Sequence, residues 1–387
     1  MAVRFANRTA QLQQSDIRAV TARIEAIGGV NLGQGLCPLP TDPRVREAAM
    51  RAIADGKNIY SPMQGLPECR QAVAEKLARD NDMTVDWKDE VLITVGASGA
   101  FACTVDTLFD PGDEILMFEP LYGYHINIAQ MRGVVPVAIP TTPGTWEIDF
   151  DALESAITPR TRAILICNPV NPSGKVFSRD ELEQIAAMCM RHDILAITDE
   201  VYEYIVFEDA EHISLASLPG MAERTITIGA ATKTFFVTGW RIGWAAGPGE
   251  IIQKMANVAD LNYICAPSPN QAAIAEALRL PQSYFDGLRT LFLDKRDRLV
   301  EALVASGFEP SIPRGAYYIM ADYRKHHPWK TDQEARDALI DGIGVGSVTG
   351  SSFFSSDAPS GLLRFCFALE DEHLNQACDA LRKLRHL

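Results

Sequence analysis

The sequence has few of the features that mark secreted, metal-binding or membrane proteins. None of its eight cysteines stands in a C-x-x-C pair, so neither a zinc site nor any other metal site is predicted. Charge-free stretches such as 261–275 and 342–356 span 15 residues, fewer than the roughly 18 apolar residues of a membrane helix. Residues 1–16 contain no apolar core of a signal peptide. We therefore expect a cytoplasmic protein with free thiols.

Basic residues are also scarce relative to acidic ones. Lys and Arg number 36 against 50 Asp and Glu, which gives a formal net charge of −14 and a pI near 5.0. A surface with this excess repels the phosphates of nucleic acids and the headgroups of anionic lipids. The composition therefore predicts neither a nucleic-acid partner nor a membrane partner.

The chain instead shows a regular alternation of short apolar runs and amphipathic segments. Its 387 residues suggest about two domains. Seven apolar runs between Val91 and Ala246 are separated by helix-length segments, which predicts an α/β fold with a mostly parallel sheet and helices on both faces. The stretch 268–306 is predicted to be helical, and shorter strands and helices follow it. We place a domain boundary near residue 285, beyond which the pattern is α+β.

Two basic residues follow predicted strands. Lys233 lies just after Thr225-Ile-Thr-Ile-Gly-Ala, in a turn of small residues, and Arg241 follows eight residues later. A lysine with little solvent around it has a lowered pKa and suits Schiff-base chemistry, and a forked guanidinium suits a phosphate. Each residue by itself is more often structural, either as an ordinary surface lysine or as an arginine in an ion pair.

Polar residues follow two further strands and the start of a helix. Asp199 ends the run Ile194-Leu-Ala-Ile-Thr, Tyr202 comes three residues later, and Asn171 lies in Cys167-Asn-Pro-Val-Asn-Pro-Ser-Gly. Val95-Gly-Ala-Ser-Gly-Ala is a small-residue turn into a helix, whose free amides suit a phosphate. Taken singly, the aspartate suits a helix cap and the asparagine a plain turn. Because ligands of open α/β sheets bind beyond the carboxyl ends of the strands, we expect all these residues in one crevice.

As a set, these residues meet the requirements of pyridoxal 5′-phosphate: an amine for its aldehyde, a partner for its ring nitrogen, hydrogen bonds to its phenolic oxygen and a phosphate site. The sequence resembles the class I/II aminotransferases, pyridoxal-phosphate enzymes of fold type I, from Val30-Asn-Leu-Gly-Gln-Gly to Leu363-Arg-Phe-Cys-Phe-Ala. Its most specific segments are Asn-Pro-x-Asn-Pro-x-Gly, Asp-Glu-Val-Tyr and Lys-Thr-Phe-x-x-Thr-Gly-Trp-Arg-x-Gly, in that order.

The resemblance implies a role for each matching residue. Lys233 would form the internal aldimine, Asp199 would pair with the pyridine nitrogen, and Tyr202 and Asn171 would bind the phenolic oxygen. The other matching positions are those that bind the phosphate (Ala97, Ser98, Arg241, and Tyr60 towards the neighbouring subunit), that stack on the cofactor ring (Tyr122) and that bind the substrate α-carboxylate (Gly35, Asn171, Arg364). A homodimer with shared active sites is implied, as is a smaller domain built from both chain ends.

The resemblance also implies a three-part organisation of the chain. Residues 1–45 would form an N-terminal arm and part of the small domain, 46–285 the large cofactor-binding domain, and 286–387 the remainder of the small domain. One position departs from the family pattern. The family commonly has a serine three residues before the aldimine lysine, where this chain has Ala230, so the phosphate site lacks one side-chain donor unless Thr232 or a water replaces it.

The function that the resemblance implies is transfer of an amino group between an L-amino acid and a 2-oxo acid by a ping-pong mechanism. Two alternatives stay open on the same scaffold: a β-lyase acting on sulfur amino acids, and an α-decarboxylase. A third class, a non-catalytic regulator, would need a DNA-binding module before this domain. The loops expected to line the side-chain pocket contain no obvious arginine for a second carboxylate, which weighs against an exclusively dicarboxylic substrate.

Overall fold

The computed structural model describes residues 5–9, 16–355 and 360–384, so part of the predicted N-terminal arm lies outside the described residues. No helix in these ranges is long and apolar enough to cross a membrane. The helices are α1 (Asp16–Ile27), α2 (Pro43–Ala54), α3 (Pro67–Asp80), α4 (Gly96–Leu108), α5 (Gly123–Met131), α6 (Phe150–Ser155), α7 (Arg179–His192), α8 (Ala231–Thr234), α9 (Gly249–Tyr263), α10 (Ser268–Ala277), α11 (Gln282–Ala305), α12 (Asp332–Ile343) and α13 (Asp371–Lys383).

The strands fall into one large sheet and two small ones. The strands are β1 (Val30–Asn31), β2 (Val91–Val95), β3 (Glu114–Phe118), β4 (Val135–Ile139), β5 (Thr161–Cys167), β6 (Leu195–Asp199), β7 (Thr225–Ala230), β8 (Ile242–Ala246), β9 (Glu309–Pro310), β10 (Tyr318–Asp322), β11 (Val345–Gly346), β12 (Val348–Thr349) and β13 (Leu362–Cys366). All seven strands predicted between residues 91 and 246 are present within two residues of their predicted ends.

The large sheet has the strand order β2-β8-β7-β6-β5-β3-β4, and every neighbouring pair is parallel except those that involve β8. Successive residues of its central strands point to opposite faces. Leu165 and Ile197 pack with α4 and α9 on one face, whereas Ile164 and Ala196 pack with α7 on the other. The predicted α/β architecture with helices on both faces is therefore confirmed.

The small sheets bring the two ends of the chain together. Strand β1 pairs with β11 in parallel, with Val30 opposite Val345, and the antiparallel sheet β12-β13-β10-β9 lies beyond α11. The N-terminal segment thus joins the C-terminal region, as the predicted α+β domain requires. The predicted boundary at residue 285 falls near the start of α11 (Gln282–Ala305), and the exact domain limits stay a prediction.

The large sheet aligns the carboxyl ends of its three central strands. Cys167 at the end of β5 lies opposite Asp199 at the end of β6, and β7 runs parallel to β6 and ends at Ala230. Parallel strands expose these ends at one edge. The segments that follow them, with the Asn-Pro turn, Tyr202 and Lys233, are therefore delivered to a common crevice.

Candidate active site

A cavity of about 270 Å³ opens at the carboxyl edge of the large sheet. Segments of both the large and the small sheets line it. Every predicted site residue except Tyr60 is in its lining, namely Gly35, Ala97, Ser98, Tyr122, Asn171, Asp199, Tyr202, Lys233, Arg241 and Arg364. The structure thus brings together residues that span more than 300 positions of the sequence.

Lys233 lies in the one-turn helix α8, directly after the end of β7. Its Nζ donates to the carbonyl oxygen of Gly35 over 3.1 Å and lies 5.9 and 5.4 Å from the ring centroids of Tyr202 and Tyr317. Burial lowers the pKa of Lys233 from its usual 10.5. The cavity therefore contains an amine that gives up its proton more easily than a surface lysine.

Asp199 is buried at the end of β6, and its Oδ2 lies 3.1 Å from Nε2 of His125. His125 is itself buried, with its ring centroid 4.7 Å from that of Phe101 and 5.2 Å from that of Tyr122. This histidine was not among the residues predicted from the sequence. Its one signal is that it follows Tyr122 by three residues, in the first turn of α5. The pair supplies a carboxylate held in place by an imidazole at the bottom of the crevice.

One end of the cavity, which we call the Arg241 end, is formed by Arg241 and the start of α4. Gly96 has φ +70°, and a Cβ there would lie 2.4 Å from Nη2 of Arg241, so only glycine lets the guanidinium lie this close. Ala97 and Ser98 occupy the first turn of α4, and Nη1 of Arg241 donates to the carbonyl of Thr238 over 2.9 Å. A guanidinium beside a helix N-terminus is suited to an anion.

Ala230 adjoins this end without adding a polar group to it. It is buried at the end of β7 and lies opposite Gly243 of β8, whose own Cβ position would meet the backbone of Gly96 and Ala97. Thr232, two residues further on, is in the cavity lining. A hydroxyl is therefore present near the lysine, but not at the position where the family commonly has serine.

Another part of the cavity, which we call the Arg364 end, is formed around a guanidinium that is only 1% exposed. Arg364 donates from Nη1 to Oδ1 of Asn171 over 3.0 Å and from Nη2 to the carbonyl of Gly33 over 2.6 Å. Its Cζ lies 4.4 and 4.9 Å from the ring centroids of Tyr318 and Phe353. Among the described residues no carboxylate pairs with it, and its Nε has no hydrogen-bond partner. A buried ion pair, the structural explanation for such an arginine, is thus not formed there.

Gly35 and Tyr318 make a close contact between these parts of the cavity. A Cβ at Gly35 would lie 1.9 Å from the hydroxyl of Tyr318, so any larger residue there would have to displace that tyrosine. The hydroxyls of Tyr202 and Tyr318 are 3.3 Å apart, and burial raises the pKa of Tyr318 to about 12. Burial likewise raises the pKa of Tyr202 well above 10. Tyr202 therefore keeps its proton at neutral pH and can donate a hydrogen bond.

Tyr60 lies outside the cavity of its own chain. It is 74% exposed, in a surface groove lined by residues 58–60 and 265–269. The cavity also has lining residues that no motif pointed to, among them Ile17, Leu36 and Tyr124. These come from segments with no distinctive pattern, so only the folded chain shows that they belong to the site.

Comparisons with known proteins agree with this geometry. The sequence profile of the family described as "Aminotransferase class I and II" matches residues 27–381. The chain is 38% identical to a probable N-succinyldiaminopimelate aminotransferase of Mycobacterium tuberculosis over 94% of both chains. It is 34% identical to kynurenine–oxoglutarate transaminase 3 of Rattus norvegicus over 99% of this chain and 91% of that protein. These relatives are named as aminotransferases, which does not favour the lyase and decarboxylase alternatives.

The fold gives the same result. The solved structure of N-succinyldiaminopimelate aminotransferase from M. tuberculosis superposes with a TM-score of 0.95 and 37% identity, over 98% of this chain and all of that chain. Because the family profile and these relatives extend over nearly the full length, the chain belongs to the class I and II aminotransferases.

Proposed function

We propose that this aminotransferase binds pyridoxal 5′-phosphate in the cavity and exchanges an L-amino acid for a 2-oxo acid by a ping-pong mechanism. Aminotransferases act on amino acids and 2-oxo acids, and enzymes of this family use pyridoxal phosphate. The cofactor, when bound, supplies an aldehyde that condenses with amines and a ring that accepts electrons. What this chain adds is the binding of that group, the orientation of the substrate and the movement of protons.

The lining residues fit the cofactor. The phosphate fits the Arg241 end, where a guanidinium and the amides of Ala97 and Ser98 meet. Asp199, held by His125, would keep a proton on the ring nitrogen, and Tyr122 would cover one ring face. These groups carry the charges that the phosphate and the ring nitrogen require.

Lys233 would hold the cofactor through Nζ and later act as a base. An amine whose pKa is lowered by burial is both a better nucleophile at neutral pH and a better proton carrier. Tyr202, kept protonated by burial, would donate to the phenolic oxygen together with Asn171. Once an amino acid has displaced it, Nζ of Lys233 would take the proton from the substrate α-carbon.

The observation that carries the proposal is the guanidinium of Arg364. It is buried, lines the cavity and has no carboxylate partner among the described residues. A buried guanidinium without an anion is costly, so the site is suited to a carboxylate from a ligand. An amino acid and an oxo acid share only the α-carboxylate there, so one arginine serves both halves of a ping-pong cycle.

A single-turnover assay tests this function. Protein saturated with pyridoxal phosphate is mixed with phenylalanine and no oxo acid. Transamination predicts one equivalent of 2-oxo acid per site and a stable pyridoxamine phosphate spectrum, which 2-oxoglutarate reverses. Continuous release of carbon dioxide would instead show decarboxylase chemistry. A parallel assay with S-methylcysteine, which has a thiol leaving group on its β-carbon, would reveal a β-lyase by continuous release of ammonia and thiol. The Lys233→Ala variant is the matched control and should give neither product.

The lining also supports a preference for neutral substrate side chains. Among the described lining residues, each charged group already has a part in the proposal: Asp199, Lys233, Arg241 and Arg364. The other lining residues are uncharged apart from the imidazole that holds Asp199, and they include the apolar or aromatic Ile17, Leu36 and Tyr124. We therefore expect leucine, methionine or phenylalanine to be used with higher kcat/KM than aspartate, measured against a common oxo acid.

A homodimer is the third part of the proposal. Tyr60 and Ile59 are both strongly exposed and lie in a surface groove that is separate from the active-site cavity of their own chain. Large exposed apolar side chains are typical of interfaces, and in a dimer Tyr60 would bind the partner's phosphate. Sedimentation should show a dimer at assay concentration. An active monomer would contradict this part of the proposal without affecting the reaction.

The cysteines support a cytoplasmic location. All eight are free, and most of them are buried. Burial raises the pKa of Cys37, Cys69 and Cys189 to about 12, so their thiolates are scarce at neutral pH. Free thiols of this kind are typical of proteins of a reducing compartment.

A further inference from the structure

The segment that follows β6 has two sides with different environments. Asp199 and Tyr202 line the cavity, whereas Glu200 and Glu203 are buried on the far side and do not line it. Their carboxylates belong to a set of six side chains that we call the buried network: Lys76, Asn81, Glu200, Glu203, His212 and Ser214. The mechanism proposed above uses none of these six.

The contacts of the network are short and nearly complete. Lys76 donates to Glu203 and, over 2.5 Å, to Asn81, which in turn donates to Glu203 over 2.9 Å. Ser214 donates to Glu200 over 2.5 Å, and Nε2 of His212 lies 3.0 Å from the same carboxylate. Five of the six residues are less than a tenth exposed, and the side chain of His212 is 7% exposed.

Charge balance shows what His212 contributes. The ammonium of Lys76 pairs with Glu203, whereas Nε2 of His212 and the hydroxyl of Ser214 face the carboxylate of Glu200. Burial raises the pKa of Glu200, but the charge of His212 and hydrogen bonds from His212 and Ser214 outweigh it and lower this pKa below 4.5. Without His212, the buried carboxylate of Glu200 would lose one of its hydrogen-bond partners.

The network does not have the form of a metal site. The ligand atoms of Glu200, Glu203 and His212 lie within 4.8 Å of one another, as a metal ion would require. The ammonium of Lys76, however, already contacts Glu203 and occupies the place of a cation. The buried network therefore stabilises the position of the segment that follows β6.

We propose that His212 is a positioning residue for transamination: by holding Glu200, it holds Asp199 and Tyr202 in place on the other side of the same segment. The inference rests on the proposed function, since it assigns Asp199 to the cofactor ring. The backbone transmits the effect over one peptide unit. The N–H of Glu200 donates to Ile228 of β7, and the carbonyl of Asp199 accepts from Asn168, so a shift of Glu200 moves both bonds.

The test compares two substitutions at one position. Gln in His212→Gln reaches as far as Nε2 of the imidazole and keeps a donor to Glu200, whereas His212→Leu fills a similar volume without one. For His212→Leu we expect kcat to fall roughly tenfold to a hundredfold with little change in KM. His212→Gln should recover most of the loss. The control is His192→Leu, which removes a surface histidine that pairs with Glu154.

A spectroscopic readout separates positioning from stability. The pH midpoint of the visible absorption band of the bound cofactor depends on the protonated ring nitrogen, which Asp199 stabilises. We expect this midpoint to move to higher pH in His212→Leu and to stay unchanged in His212→Gln and His192→Leu. A wild-type midpoint and kcat in His212→Leu, with only a lower melting temperature, would overturn the proposal. Equal losses in the Leu and Gln variants would overturn it as well.

A milder variant tests the proposal if His212→Leu does not fold. Ser214→Ala removes the other donor to Glu200 and should shift kcat and the midpoint in the same direction by a smaller factor. No change in either quantity would overturn the proposal. If the wild-type protein shows no single-turnover transamination, the proposed function fails before any variant is compared, so the two failures are distinguishable.

Discussion

The two ends of the cavity are built in different ways. The Arg241 end comes from two stretches, 96–98 and 230–241, which adjacent strands of the large sheet bring together. The Arg364 end combines Tyr318 and Arg364, which lie on paired strands of the small antiparallel sheet, with Gly33 and Asn171, which lie in loops far away in the chain. The Arg241 end is thus formed by two short segments at the ends of adjacent strands, whereas the Arg364 end needs loops and strands from several parts of the fold.

The two arginines of these ends also differ in their surroundings. Arg241 is partly exposed, lines the cavity and donates a hydrogen bond to its own chain neighbour Thr238. Arg364 is 1% exposed, held by two hydrogen bonds and placed against two aromatic rings. Removing a charge should cost less where the charge is partly solvated, as at Arg241, than where it is fully buried, as at Arg364. The ends should therefore respond differently to substitution.

The largest effect is expected at the Arg364 end. Arg364→Leu should lower kcat/KM for the amino acid and the oxo acid together by roughly a thousandfold, because a buried charge partner of the α-carboxylate is lost. The kcat/KM values of Arg364→Lys should lie between those of the wild type and of Arg364→Leu, because lysine keeps the charge but cannot donate two parallel hydrogen bonds. Steady-state kinetics of both half-reactions measure this. A loss of cofactor affinity as large as the loss of kcat/KM would contradict the assignment of Arg364 to the substrate and not to the cofactor.

The next effect is expected at the Arg241 end and in a different quantity. Arg241→Gln should raise the dissociation constant of pyridoxal phosphate roughly tenfold to a hundredfold, which is the value of a charge-assisted hydrogen bond. At saturating cofactor, KM for the amino acid should stay near that of the wild type. Fluorescence titration of the apoenzyme gives the first quantity. An unchanged dissociation constant would remove Arg241 from the phosphate site.

The burial of Lys233 in the same cavity should appear as a pH dependence. A lowered pKa means that the neutral amine becomes abundant below pH 10.5, so the rate of cofactor uptake by the apoenzyme should rise with pH and level off before that value. Stopped-flow absorbance follows the reaction. Lys233→Arg is the control and should show no covalent uptake. A midpoint at 10.5 or above would mean that the lysine is solvated.

The smallest effect is expected for a substitution that adds a hydroxyl at the Arg241 end. Ala230→Ser restores the hydroxyl that the family commonly has, and one added hydrogen bond of about 1 kcal/mol corresponds to roughly fivefold tighter cofactor binding. The same titration measures it, and kcat/KM at saturating cofactor should not change. Unchanged or weaker binding would show that Thr232 or a backbone amide already fills that role.

Much of the fold and of the site is predictable from local patterns. Strand β3 lies at its predicted residues, and β6 lies one residue from its predicted position, because apolar runs and helix-length segments are short-range signals. Since ligands bind at the carboxyl ends of parallel strands, the residues after β5, β6 and β7 could be assigned to one crevice. The predicted turn into a helix after Val95 is also present, with α4 beginning at Gly96.

Other features could not be read from the chain. His125 contacts Asp199 across 74 residues of sequence, and nothing in Gly123-Tyr-His distinguishes it from an ordinary core histidine. The buried network likewise joins α3 to the segments after β6, between residues that no motif connects. Such contacts depend on how helices pack on the sheet and on burial, which local sequence does not specify.

The sequence by itself therefore determined the order of the elements, the crevice and the reactive groups in it, because each follows from residues adjacent in the chain. The tertiary structure decided the environment of those groups. It desolvated Lys233, placed Arg364 against two rings with no carboxylate among the described residues, and paired Asp199 with a histidine. Desolvation and facing charges are set by packing between distant segments, and they control proton affinity and anion binding.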